Sequence, residues 1–221
     1  MKYITEVCFS KNIVELFRNK QYEKYVLEIM NLSRSVFPGN YIKVTETGHG
    51  EPDYICEETQ LVFDAKLPFK SKQVEMLTSG KKHPPLIEKW INETREEASH
   101  LNIESLRNHE YNVRDNKLYE IMLDKILGEK KNDENIIFFF PFLIGHCFDG
   151  FFIGDTSDCL DVIYESLKKE ECLDYLANRE VYAICPDALG VESFVLRNLS
   201  KRQRETVSYS GMSDYFIYRF L

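Results

Sequence analysis

The chain has no apolar run long enough to cross a bilayer. Its longest, IIFFFPFLIG at 136–145, falls well short of the roughly 20 residues a spanning helix needs and reads as a buried strand. The opening stretch, MKYITEVCFSKN, lacks the apolar segment of a signal peptide, so no export is expected. None of the six cysteines forms a CxxC pair, which removes zinc-finger spacing. Free buried thiols in a reducing cytoplasm are the expected state. There is no internal repeat and no low-complexity linker. An excess of basic charge is also missing: 28 Lys and Arg stand against 36 Asp and Glu, a net charge of −8. That balance argues against a protein that coats nucleic acid non-specifically. A nucleic-acid enzyme remains open, because local charge decides where phosphates dock and an acidic metal site adds negative charge.

With 221 residues there is enough chain for one ample domain, 1–221, or for a core with one insertion. Helical spacing of Ile13, Val14, Phe17, Tyr25, Ile29 and Leu32 predicts a long helix over 11–36, with Ser10 as its cap and Pro38-Gly39-Asn40 as its end. YIKVTET then alternates like a strand, and DYIC and LVFDAK predict two more around Glu57-Glu58-Thr59-Gln60. Residues 72–79 suggest a short helix. A charge-rich, largely helical stretch over about 84–130 reads as an insertion with a solvated outer face. Asp158 to Leu176 is an amphipathic helix, and VYAIC, SFVLRNL and YFIYRFL read as strands. The sum is an α/β domain.

The stretch GHGEPDYICEETQLVFDAKLPFK, 48–70, is where acids and a lysine gather. A turn centred on Glu58 and Thr59, or a four-residue loop over 57–60, pairs Cys56 with Leu61, Ile55 with Val62 and Tyr54 with Phe63. One step on, Asp53 faces Asp64 and Glu51 faces Lys66. Directly opposed side chains have Cβ atoms about 5 Å apart, so two carboxylates held there repel unless a cation lies between them. Mg²⁺ takes hard oxygen ligands, commonly one or two carboxylates with waters and phosphate. Lys66 projects from the same strand face as Asp64, while Phe63 and Ala65 point away. A solvated strand face with alternating charge would produce the same pattern.

Pro52-Asp53, ten intervening residues, and Asp64-Ala65-Lys66 resemble the signature of the PD-(D/E)xK nuclease superfamily. The helix-plus-meander layout extends the resemblance to about 11–80. It implies a restriction-endonuclease-like fold, a mixed sheet core flanked by helices. It also implies a carboxylate-bound Mg²⁺ or Mn²⁺ that polarises a scissile phosphate and activates water for in-line attack. Asp53 and Asp64 would be ligands, the Ala65 carbonyl a third, and Lys66 would position or deprotonate the water or neutralise the developing charge. Many members add a glutamate from the first helix. Of Glu15, Glu23 and Glu28, Glu23 is chosen for its place at the edge of the stripe formed by Tyr22, Val26 and Ile29. Each of the three reads equally well as a surface acid. The absence of histidine before His49 speaks against the cap-snatching branch, and His49 reads as a turn residue.

From Lys66 to His83 the chain carries Lys66, Lys70, Lys72, Lys81 and Lys82 against one acid, Glu75. Such clusters make phosphate contacts that position nucleic acid without reading its sequence. Arg197, Lys201, Arg202 and Arg204 form a second cluster, which a solvated loop would also explain. The expectation is a metal-dependent endonuclease acting on DNA, with no membrane partner. It would act as a homodimer if both strands are cut. A nuclease-like binding module and an RNA endonuclease are the alternatives.

Overall fold

The computed structural model of the chain describes residues 3–10, 21–45, 51–67, 117–128, 134–140, 142–148, 151–170, 172–187, 190–211 and 215–220. The first strand, β1 (Tyr3–Ser10), precedes helix α1 (Gln21–Met30). Ser10 is the last residue of that strand. Residues 11–20 of the expected long helix lie outside the described residues. The helix stops at Met30 because the next side chains give the backbone other partners. The Asn31 side-chain amide donates to the Tyr41 carbonyl (3.0 Å) and accepts from the Tyr41 amide (2.9 Å). The Ser33 hydroxyl accepts from the amides of Val36 (3.1 Å) and Phe37 (2.9 Å). Short polar side chains compete with helical hydrogen bonds in this way.

A meander follows: β2 (Tyr41–Lys43), β3 (Tyr54–Cys56) and β4 (Val62–Lys66). Helix α2 (Lys117–Gly128) leads into β5 (Asn135–Phe139). Next come β6 (Phe142–Phe148), β7 (Phe151–Asp155), α3 (Thr156–Glu170) and α4 (Leu173–Leu176). The last strands are β8 (Val181–Asp187), β9 (Gly190–Asn198), β10 (Gln203–Ser208) and β11 (Tyr215–Phe220).

Among the described residues the strands form two sheets. A seven-stranded mixed sheet has the order β10-β9-β8-β5-β4-β3-β2, with β4, β5 and β8 parallel and the outer pairs antiparallel. A four-stranded antiparallel sheet has the order β11-β1-β6-β7. The chain is thus an α/β protein. The apolar run at 136–145 is not one strand: its first part is in β5 of the larger sheet and its last part in β6 of the smaller, with a proline between them in the sequence. A proline cannot donate to a ladder, so a break there is the physical outcome. The single amphipathic helix expected from Asp158 to Leu176 is likewise divided, into α3 and α4.

Parallel strands need a long crossover, usually helical. Between β4 and β5 that crossover includes α2, whose Tyr119, Ile121, Met122 and Ile126 are buried. The end of the stretch expected to be a solvated insertion is thus part of the core, and residues 68–116 lie outside the described residues. Strand β5 is buried along its whole length, as a central strand covered on both faces must be. Beside it, Phe37 stacks on Tyr182 with centroids 4.8 Å apart, and Phe63 meets Tyr182 (5.4 Å) and Tyr41 (5.5 Å) edge-on. Each such pair is worth about 0.5–1.5 kcal/mol beyond its burial. This cluster backs the β3–β4 hairpin. Cys56, Cys172 and Cys185 are buried. Among the described residues no helix is long and apolar enough to cross a membrane.

Candidate metal centre

Strand β4 alternates strictly. Phe63 and Ala65 are buried against the core, while Val62, Asp64 and Lys66 are only partly covered. A period of two therefore puts Asp64 and Lys66 on one face. The hairpin register is Tyr54 with Phe63 and Ile55 with Val62. Its loop is the four-residue form. Cys56 donates its amide to the Leu61 carbonyl (2.9 Å), and Gln60 donates to the Cys56 carbonyl (2.9 Å). Gln60 closes the loop in the left-handed region, at φ 60°. The loop is also tied to the segment before β2: Glu58 accepts from the Asn40 amide at 2.8 Å. Gly39, at φ +117°, leaves room there for the Cys56 sulfur, which a Cβ would meet at 2.7 Å.

Beyond Tyr54 the ladder changes. The Asp53 amide turns to the Phe63 carbonyl (3.0 Å), and the regular pairing ends at Tyr54. This shift frees the Ala65 amide, which donates to the Asp53 carboxylate at 2.7 Å. Within a strand the N–H and C=O of one residue point to the same side, so the Ala65 carbonyl also faces the gap between β3 and β4. The Asp53 and Asp64 carboxyls are hydrogen-bonded to each other. Two neighbouring carboxyls disfavour a second negative charge, which favours the protonated form of Asp53. Burial first, then the hydrogen bond and charge of Asp64, push Asp53 up to about 8, against the opposing pull of the Ala65 amide. Lys66 closes the other side, its ammonium 2.5 Å from Asp64 Oδ2 with both side chains mostly covered.

Glu23 arrives from the first turn of α1. Its side chain is 1% exposed, with the Lys43 ammonium 2.6 Å from Oε2. Tyr54 anchors that turn by donating its phenol to the Glu23 carbonyl (2.9 Å). Burial holds the Tyr54 phenol far above its ordinary value, helped by Asp53, Glu23, Tyr22 and Asp64. The charge of Glu23 also reaches Asp53. Of the other helix acids, Glu28 points elsewhere and accepts from the Tyr209 hydroxyl at 2.5 Å, and Glu15 lies outside the described residues.

The structure therefore brings together Asp53, Asp64, Ala65, Lys66 and Glu23. Lys70, Lys72, Lys81, Lys82 and His49 lie outside the described residues. In the second basic cluster Arg197 is buried, whereas Lys201, Arg202 and Arg204 stay exposed. Arg197 is ion-paired with Asp161 of α3, Arg202 with Glu165 (2.9 Å), and Lys201 with Glu180 (2.6 Å). Lys43 is the site residue that sequence reading missed. Its signal was the register of β2 on β3, which sets Lys43 opposite Tyr54, next to Asp53.

Among the described residues no three His, Cys, Asp or Glu side chains converge as a ready-made metal cage. The acids are instead engaged by the Ala65 amide and by two lysines. The donor chemistry still suits a hard divalent cation: two carboxylates and a strand carbonyl directed into one gap, all oxygen. No protein-family model matches the chain, and no curated protein or solved structure matches it.

Proposed function

We propose that the chain is a metal-dependent nuclease with a restriction-endonuclease-like core, hydrolysing phosphodiester bonds in DNA with Mg²⁺ or Mn²⁺. One observation carries this reading: the Asp53–Asp64 carboxyl pair, with the Ala65 amide donating to Asp53 at 2.7 Å and Lys66 2.5 Å from Asp64. It is supported by the layout around the pair, in which α1 precedes the antiparallel β2-β3-β4 meander and β5 runs parallel to β4.

Asp53, Asp64 and the Ala65 carbonyl would hold the cation. When bound, it supplies a Lewis acid for the phosphate oxygen and a more acidic water. A bound cation would favour the ionised form of Asp53, because it would offset the negative charge of Asp64 and Glu23 beside it. Lys66 carries a positive charge on the same strand face as Asp64. It neutralises charge that develops on the phosphorus oxygens and holds the attacking water in place. Glu23 adds a buried negative charge behind Asp53, which favours a cation in front of it.

The test is cleavage of labelled single- and double-stranded DNA and RNA in Mg²⁺, Mn²⁺ or EDTA. Metal-dependent DNA cleavage is expected, lost in Asp53→Ala, Asp64→Ala and Lys66→Ala proteins that keep their circular-dichroism spectrum. Cleavage of RNA alone would reassign the substrate, and no cleavage under any condition would favour a binding module. A duplex cut on both strands calls for two copies of the chain.

A further inference from the structure

Glu23 is almost wholly excluded from water, whereas Lys43, its partner at 2.6 Å, keeps half of its side chain exposed. A buried carboxylate needs a cationic partner at hand, because its own hydration is gone. Lysine meets this need with a compact charge on a flexible four-carbon stem. Lys43 lies on β2, the edge strand of the larger sheet, and no further strand holds it on its outer side among the described residues. The residue after it is tied to the acid pair: the Val44 amide donates to the Asp53 carbonyl at 3.0 Å. The Lys43 stem is thus rooted beside Asp53, and its ammonium reaches across to the helix acid.

Charge explains why this placement matters. The charges of Asp64 and Glu23 both reach Asp53, and all three acids reach the Tyr54 phenol that bonds the Glu23 carbonyl. Lys66 answers Asp64 and Lys43 answers Glu23. Lys66 is about four-fifths covered, at 18% exposure, whereas Lys43 at 49% has open water to move into.

We propose that Lys43 is the resident counter-ion of the site, holding Glu23 while no divalent cation is bound and releasing it when one arrives. This rests on the reading of Asp53 and Asp64 as a cation site. Lys43 is then a positioning residue. It keeps Glu23 buried and oriented, and it sets the affinity for the divalent ion by competing with it for the same negative field. A unit charge a few ångströms away, at an effective dielectric of about 20, alters cation affinity by well over tenfold. Half-exposure of Lys43 screens part of that, so an effect of about tenfold is expected.

The experiment is a Mn²⁺ titration followed by melting temperature, for wild type, Lys43→Met, Lys43→Arg and Asp64→Ala. Lys43→Met is expected to melt lower in EDTA and to bind Mn²⁺ about tenfold more tightly, equivalent to about 1.4 kcal/mol. Lys43→Arg is expected to keep the wild-type affinity. An unchanged Mn²⁺ affinity in Lys43→Met, with Asp64→Ala still blunting the response, would make the ion pair a mere structural link and overturn the inference alone. A wild-type response that Asp64→Ala leaves intact would overturn the cation-site reading itself. The wild-type protein supplies an independent measurement should Lys43→Met fail to fold. Acetylation of Lys43 by acetic anhydride, read by mass spectrometry against the other lysines, is expected to rise with Mg²⁺. No rise would overturn the exchange.

Discussion

Replacing Asp53 by Asn is expected to stabilise the protein in the absence of a divalent cation, and to do so increasingly as pH rises. Asparagine reproduces the protonated acid. Its side-chain oxygen can accept from the Ala65 amide, as Asp53 does at 2.7 Å, and its amide can donate to Asp64. In the native protein, burial and then Asp64 push Asp53 from 3.8 up to about 8. A folded value above the unfolded one means that the stability tied to the protonated form is complete below about pH 4 and drains away towards pH 8. If the whole displacement were realised it would correspond to over 5 kcal/mol, at about 1.4 kcal/mol per pH unit. Asp53 interacts closely with Asp64 and the site is partly wet, so about 1–2 kcal/mol at pH 8 is the expected gain. For a chain of this size each kcal/mol moves the melting temperature by about 2–4 °C, giving a rise of about 2–8 °C. The assay is thermal unfolding in EDTA at pH 5, 6.5 and 8 for both proteins, with cleavage measured in parallel. Near-equal melting at pH 5, a gap that widens with pH, and no cleavage by Asp53→Asn are the expected results. A variant less stable than wild type at pH 8, or a gap that does not change with pH, would refute a protonated Asp53.

Glu205 on β10 provides a pH dependence of the opposite sign. Its carboxylate accepts from the hydroxyls of Ser33 (2.5 Å) and Ser35 (2.9 Å) and from the amides of Arg34 (2.9 Å), Ser35 (2.9 Å) and Val36 (3.2 Å). Burial opposes ionisation, but these donors prevail and lower Glu205 to about 2. The stability it contributes is present above about pH 4.5 and lost as pH falls towards 2. After discounting for solvent, Glu205→Ala is expected to cost about 1–2 kcal/mol at pH 7 and little near pH 2, read by urea unfolding; an equal cost at both would exclude the charged clamp. Lys70 and Lys72 concern nucleic-acid binding. With an Asp64→Ala background to prevent cleavage, changing both to Ala should make the plot of log affinity against log salt shallower by up to about two units on duplex DNA. An unchanged slope would place the phosphate path elsewhere.

What the sequence by itself determined is local. Residues 54 and 63 oppose each other because the hairpin loop is short, and a strand's period of two puts Asp64 and Lys66 on one face whatever surrounds them. Glu23 stood out from Glu15 and Glu28 because Val26 and Ile29, three and six residues on, mark the buried side of α1. The tertiary structure decided whatever depends on residues far apart in the chain. Strand β1, unmarked in the sequence reading, exists through its pairing with β6 and β11. The apolar run at 136–145 reads as one strand until two different sheets claim its halves. Arg197 looks like a free cation until Asp161 of α3 meets it, and Glu205 looks like a surface acid until the turn after α1 surrounds it. The exchange of donors at Asp53 is of the same kind. Spacing predicted that the two acids would meet, but only the end of the ladder at Tyr54 turned the Ala65 amide onto Asp53 and brought Lys43 to Glu23. Alternation and turn length act over a few residues and survive in the one-dimensional pattern. Ion pairs and strand neighbours are selected by the packed three-dimensional arrangement, which leaves no periodic trace in the sequence.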